Sequence, residues 1–244
     1  MVTITINGKE LTVAPGTTVL EAARSLGVEI PTLCHHAGLS PEGSCRLCMV
    51  EVEQRGRRRL VASCMFPVAE GLIVETETEP VARARRFVLG LLLDRSPHAE
   101  EIVDVARRYG AVGFGRLPEG ERDSCIYCGR CVRACEEEAT GCLSFGFRGW
   151  ERKVGGPYEE PPSACIGCGA CAKVCPTGHI VMEESEDRRL IWGRTFELLR
   201  CSLCGEPFAT EEQLEFLGEE DEKERICERC RKRVFAASFT GGLR

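Results

Sequence analysis

The segment CIYCGRCVRACEEE, residues 125–138, has a near copy in CIGCGACAKVCPTG, residues 165–178. Both follow C-x2-C-x2-C-x3-C, and only the second places a proline, Pro176, after its fourth cysteine; the first has Glu136 there. Gly129, Gly167 and Gly169 fall between the cysteines, where tight turns and close backbone approach favour a residue without a Cβ. Cysteines at such density form either disulfides or metal sites, and the compartment decides between them. Residues 1–20 show neither the basic start nor the apolar core of a secretory signal. The apolar run FVLGLLLDR stops at Asp94, too soon to span a bilayer. A cytoplasmic, reducing setting is therefore expected, where thiols point to metal or redox chemistry. The net charge of −6 gives no support for a nucleic-acid partner.

Outward from the two runs, the 17 cysteines sort by position: four between 34 and 64, none between 65 and 124, nine between 125 and 175, and four between 201 and 230. Small modules with few aromatic residues need a staple, and here each group of cysteines offers one. We expect an α+β chain of four parts: residues 1–79, a spacer 80–118, residues 119–190 and residues 191–244.

The repeated run resembles the signature of bacterial two-cluster ferredoxins, in which three cysteines hold one [4Fe–4S] cluster and the fourth ligates the other. The resemblance implies interleaved ligand sets: Cys125, Cys128 and Cys131 with Cys175, and Cys165, Cys168 and Cys171 with Cys135. Crossing ligands make the two clusters close neighbours, so electrons pass between them in short steps. The glutamates Glu136–Glu138 disfavour added negative charge and are expected to lower one cluster's potential. Cys142 is left over and reads as a buried, inert thiol, with a redox-sensing or replacement-ligand role as the alternative.

At the N-terminus, TITINGKELTV alternates around Asn7-Gly8, a type I′ hairpin signal. Thr18 and Glu21 form a capping box for a short helix carrying Val19, Leu20, Ala23 and Leu26. With the later strand-like segments LCMVEVE, RRLVAS and GLIVETETE, this suggests a β-grasp. The basic run Arg55–Arg59 reads as a solvated hairpin tip. Cys34, Cys45, Cys48 and Cys64 are spaced C-x10-C-x2-C-x15-C, unlike the plant-type ferredoxin pattern. A zinc site is the competing reading, but the segment has only one tight knuckle. Four cysteines also complete a site without His35 or His36.

The loop PTLCHHAGLSPEGSCRLCMVEVE closely resembles the [2Fe–2S] domain that opens the large iron–sulfur subunit of respiratory complex I. Iron–sulfur subunits of NAD-linked hydrogenases and formate dehydrogenases share it. The resemblance covers about residues 1–180 and implies that Cys34, Cys45, Cys48 and Cys64 hold a [2Fe–2S] cluster, with Gly43 and Ser44 letting backbone amides approach the sulfurs. In that family the spacer carries a further cluster on H-x3-C-x2-C-x5-C. Here LLLDRSPHAEEIVDVARRYG keeps His98 but no cysteine, so that cluster is absent and His98 reads as a surface residue. The spacer itself reads as two helices broken at Ser96-Pro97, with apolar Phe87, Val88, Leu91 and Leu92 before the break. Without the spacer cluster, the handover from the [2Fe–2S] domain is expected to need partner subunits.

Finally, Cys201, Cys204, Cys227 and Cys230 form two C-x2-C knuckles 22 residues apart. This is near zinc-ribbon spacing, with a rubredoxin-like iron site as the alternative. The acidic segment EEQLEFLGEEDEKE, residues 211–224, argues for a structural or protein-docking role rather than nucleic-acid binding. No G-x-G-x-x-G loop, P-loop or nickel or molybdenum site stands out, so the chain offers no catalytic centre. The resemblance implies an electron-transfer subunit of a cytoplasmic oxidoreductase. Its expected partners are a flavoprotein handling NAD(P)H, a [NiFe] hydrogenase subunit and a small thioredoxin-like [2Fe–2S] subunit. Electron-bifurcating hydrogenases fall in this class, and formate dehydrogenase is the alternative partner. A free-standing carrier and a zinc-ribbon interaction module with redox sensing are the competing classes.

Overall fold

Asn7 and Gly8 both take positive φ, 48° and 76°, the backbone a type I′ turn requires. They join β1 (Val2–Ile6) to β2 (Lys9–Val13) as an antiparallel hairpin. The structure is a computed structural model and describes residues 1–115, 124–218 and 225–240. It is mixed α/β and divides into two units: Met1–Arg130 with Cys175–His179, and Cys131–Val174 with Ile180–Arg244.

In the first unit, α1 (Val19–Ser25) follows the hairpin. Thr18 accepts from the Glu21 amide, and the Glu21 carboxylate accepts from the Thr18 amide at 2.7 Å, which completes the capping box. Strands β3 (Met49–Gln54), β4 (Arg57–Ala62) and β5 (Leu72–Glu75) complete a five-stranded sheet in the order β2-β1-β5-β3-β4. Its β1–β5 pair is parallel and the others are antiparallel. That is the β-grasp arrangement, with Ile4, Ile6, Leu20, Val50, Leu72 and Val74 in its core. The basic run turns the β3–β4 hairpin through Arg55 and Gly56, and its arginines face solvent.

The spacer forms α2 (Glu79–Arg95) and α3 (Glu100–Tyr109), broken where Ser96-Pro97 predicts. The buried face of α2 runs through Val81, Arg85 and Leu89, while Phe87 and Leu91 stay exposed. An arginine on the buried face is invisible to a hydrophobicity count. Its guanidinium donates to Glu77 (2.9 Å) and to the Met49 carbonyl (3.0 Å), and it lies over the Tyr109 ring. It thereby ties α2 to β3 and α3. His98 is exposed, as expected.

The second unit begins within α4 (Arg130–Glu138) and continues through the hairpin of β6 (Ser144–Gly146) and β7 (Lys153–Gly155) to α5 (Ala170–Lys173). A four-stranded antiparallel sheet follows, in the order β11-β10-β9-β8. Its strands are β8 (Met182–Glu184), β9 (Arg188–Ile191), β10 (Arg194–Arg200) and β11 (Pro207–Thr210). The expected module boundary at 190/191 falls inside β9, which pairs with both β8 and β10. Helices α6 (Glu211–Leu217) and α7 (Glu228–Thr240) complete the unit. The expected boundary at 118/119 and the later half of the acidic segment, residues 219–224, lie outside the described residues.

Leu89 is fully buried in a core shared by α2, α3 and two cysteine loops. Leu89→Ala is expected to cost about 2–5 kcal/mol of unfolding free energy in a denaturant titration. A loss under about 0.5 kcal/mol, the range of a surface substitution, would contradict this packing.

Candidate metal centres

Cys34 and Cys45 lie in the long loop before β3, Cys48 directly precedes β3, and Cys64 follows β4. Strand pairing therefore brings distant cysteines together: Ser63 donates to the Cys48 carbonyl from both its amide (3.1 Å) and its hydroxyl (2.8 Å). The Cys34 amide donates to Cys45 Sγ at 3.4 Å, and the Cys48 and Cys64 sulfurs share a hydrogen bond at 3.3 Å. All four are buried. Crowding makes them compete for protons. Hydrogen bonds from Cys45 and Cys64 hold Cys34 far below the ordinary thiol range, and donation to Cys34 pushes those two up. The hydrogen bond shared with Cys64 brings Cys48 down to about 6. A buried thiolate group of this kind suits a cationic metal core. Gly43 has φ +71°, and a Cβ there would lie 2.7 Å from the Met65 side chain, so the loop needs its glycine.

The first repeated run starts in this same unit. Ser44 Oγ donates to the Cys128 carbonyl at 3.1 Å, and Arg130 donates to the His35 carbonyl at 2.5 Å. Gly129 has φ +71°, and a Cβ there would run into the Glu42 carboxylate. Cys34, Cys45 and Cys128 belong to one buried cluster with Leu33, Leu47 and Leu89. The helix break serves the run as well: Ser96 Oγ and Arg95 Nε both donate to the Cys125 carbonyl, at 3.3 and 3.4 Å. Burial raises the Cys128 thiol, and the charges of Cys175 and Cys34 both reach it. Cys175, the last cysteine of the second run, thus belongs to the unit that holds Cys125 and Cys128. The chain's own loops pack against each other, because α2 and α3 fill the space beneath both.

In the second unit, Cys135 on α4, Cys165, Cys168 and Cys171 line one cavity, closed on one side by Ile191 and Trp192. Residues that sequence reasoning missed hold the second run in place. Arg194 donates to the carbonyls of Pro162, Ser163 and Cys165 at 2.7–3.0 Å. Arg189, paired with Glu184, donates to the Gly167 carbonyl at 2.6 Å. Thr210 donates to the Ile166 carbonyl at 2.5 Å. Gly167 and Gly169 take φ +66° and +74°; a Cβ on either would press on Phe196 or Met182. Donors face the sulfurs: the Gly167 amide to Cys165 and the Trp192 indole N–H to Cys171, each at 3.4 Å. The Thr140 hydroxyl also lines the cavity, hydrogen-bonded to Cys142. Such donors fit a group rich in anionic sulfur. Burial raises Cys171 to about 11. Cys142 is half-buried rather than buried and lines this same cavity.

The third group is tighter. The sulfurs of Cys201, Cys204, Cys227 and Cys230 all lie within 4.8 Å of one another, the only such group among the described residues. The first knuckle is a turn between β10 and β11, closed by Gly205 N–H to the Cys201 carbonyl and Cys201 N–H to the Glu206 carbonyl. The second pair lies at the start of α7 rather than on a second hairpin. The Cys227 amide donates to Cys201 Sγ at 3.3 Å and lowers that thiol to about 6, while burial raises Cys230 to about 12. The core around them is little more than the cysteines with Phe208 and Ile226.

Removing the three-carbonyl clamp with Arg194→Ala is expected to speed hydrogen exchange at the amides of residues 163–169. Exchange of the β1–β5 amides should stay unchanged. Equal protection of residues 163–169 in variant and wild type would contradict the clamp.

Residues 1–79 match the family described as a 2Fe-2S iron–sulfur cluster binding domain, and residues 164–212 match that described as a 4Fe-4S dicluster domain. The chain is 33% identical to the NADPH-Fe(3+) oxidoreductase subunit alpha of Geobacter sulfurreducens, over 93% of this chain and 29% of the relative. It is 37% identical to the NADP-reducing hydrogenase subunit HndD of Solidesulfovibrio fructosivorans, over 75% of this chain and 36% of the relative. The chain thus spans about a third of the length of these curated relatives. Among solved structures, it is similar to a chain of an NAD+-reducing [NiFe]-hydrogenase crystallised in the H2-reduced state. The TM-score is 0.62 and the identity 30%, over 73% of this chain and 86% of that one.

Proposed function

The chain belongs to the family of [2Fe–2S]- and [4Fe–4S]-binding iron–sulfur subunits that includes these hydrogenase and oxidoreductase relatives, and on that premise we propose that it relays single electrons between a flavoprotein that handles NAD(P)H and a hydrogenase catalytic subunit. Cys34, Cys45, Cys48 and Cys64 would hold a [2Fe–2S] cluster. One [4Fe–4S] cluster would take Cys125, Cys128 and Cys175, to which the run's spacing adds Cys131. The other would take Cys135, Cys165, Cys168 and Cys171. Cys201, Cys204, Cys227 and Cys230 would hold Zn2+, since four thiolates within 4.8 Å suit one tetrahedral ion. Bound clusters would pass one electron at a time, while NAD(P)H gives two, so a flavin partner is required.

The observation that carries this reading is the hydrogen bond from Ser44 to the Cys128 carbonyl, which joins the loop of the first site to the loop of the second. An electron entering at one would have a neighbouring acceptor at the other. The protein's own residues bury most of the sulfurs and aim N–H donors at several of them. The C-terminal group has almost no apolar core of its own, so metal would be its main source of folding energy. No helix among the described residues is long and apolar enough to cross a membrane.

Anaerobic purification from the native host tests the reading. The expected outcome is iron and sulfide matching one [2Fe–2S] and two [4Fe–4S] clusters, stoichiometric zinc, and co-purification with a flavoprotein and a hydrogenase. A lone monomer exchanging electrons with unrelated enzymes would overturn it, and co-purifying formate dehydrogenase would replace the hydrogenase.

A further inference from the structure

Cys142 lies seven residues past Cys135, yet its sulfur is 3.6 Å from the Cys135 sulfur. The end of α4 explains the return. The amides of Ala139 and Gly141 both donate to the Cys135 carbonyl, at 3.1 and 2.9 Å, and Gly141 takes φ +66°. The chain therefore folds back over the last turn of the helix and delivers residue 142 to the cavity lined by Cys135, Cys165, Cys168 and Cys171. The Thr140 hydroxyl lines the same cavity, and its hydrogen bond to Cys142 favours the thiolate form of that sulfur.

We propose that Cys142 is a reserve ligand of the second [4Fe–4S] cluster and can replace Cys135 on its iron. The inference rests on the cluster assignment above. Each iron of such a cluster has one cysteine position, so Cys142 substitutes rather than adds. In the exchange one iron–sulfur bond to Cys135 breaks and one to Cys142 forms. The Cys142 proton passes to the departing Cys135 thiolate, and no electron is exchanged. The short separation lets the swap proceed by side-chain rotation with little backbone movement. A chain so equipped keeps all four irons when the Cys135 bond is lost, a vulnerable moment for a partly exposed cluster.

The test uses the full chain with Cys135→Ala, Cys142→Ala and the double variant, purified anaerobically and compared by iron content and EPR. If wild type itself lacks two [4Fe–4S] clusters, the functional reading fails, and this inference with it. Given an intact wild type, Cys135→Ala is expected to keep the wild-type iron content with an altered EPR signal, and Cys142→Ala to keep both. The double variant is expected to lose one iron and show a [3Fe–4S] signal, with the [2Fe–2S] signal retained as a folding control. Iron loss in Cys135→Ala equal to that in the double variant would overturn the proposal. Should Cys135→Ala not accumulate, iron release to a chelator decides: faster release from Cys142→Ala than from wild type supports the reserve ligand, and equal rates overturn it.

Discussion

The hydrogen bond from the Ser44 hydroxyl to the Cys128 carbonyl fixes the approach of two cysteine loops that are far apart in sequence, and the rest of the first unit is arranged to keep it. The β-grasp sheet supplies Cys48 and Cys64 at strand ends. The helical pair α2–α3 then fills the volume below both loops with Leu89, Ile102 and Val105. Gly43 and Gly129 both take φ +71°, a left-handed backbone that favours glycine at each position. Buried sulfurs crowded this closely are costly unless a cationic centre offsets them. Packing and metal binding therefore depend on each other.

The second unit meets the same demand with arginine. Arg189 and Arg194, on neighbouring strands, spend their donors on the carbonyls of the second run. A guanidinium has several donors in a fixed fork and can hold several carbonyls at once. Arg189 is also paired with Glu184, as a largely buried charge should be. The sheet that positions these arginines leads directly through β10 and β11 into the four-cysteine knuckle. The C-terminal group is thus continuous with the scaffold of the second run rather than a separate appendage.

Much of this was legible in the sequence because the signals were local. Asn7-Gly8, the Thr18–Glu21 capping box and the Ser96-Pro97 break each specify their own backbone, and each is found where expected. Spacing alone likewise named the four C-terminal cysteines whose sulfurs gather within 4.8 Å. What escaped was tertiary. Arg85 reads as a surface residue until Glu77, Met49 and Tyr109 are seen around it. Arg194 and Trp192 gave no signal, because their partners are carbonyls and a sulfur about thirty and twenty residues away. Cys142 had no pattern at all, since a fold-back after a helix end leaves little mark beyond one glycine. The module boundary at 190/191 was drawn from the grouping of the cysteines, but β9 pairs on both sides of it.

The central claim is that the loop of Cys34 and Cys45 and the loop of Cys125 and Cys128, proposed to hold a [2Fe–2S] and a [4Fe–4S] cluster, are neighbours within one unit of this chain. Pulsed EPR on the anaerobic full chain tests it directly, by comparing relaxation of the reduced [2Fe–2S] signal with the [4Fe–4S] clusters oxidised and reduced. Dipolar contact between neighbours predicts faster relaxation and a broadened line once the [4Fe–4S] clusters are reduced. An unchanged relaxation rate across that titration would contradict it.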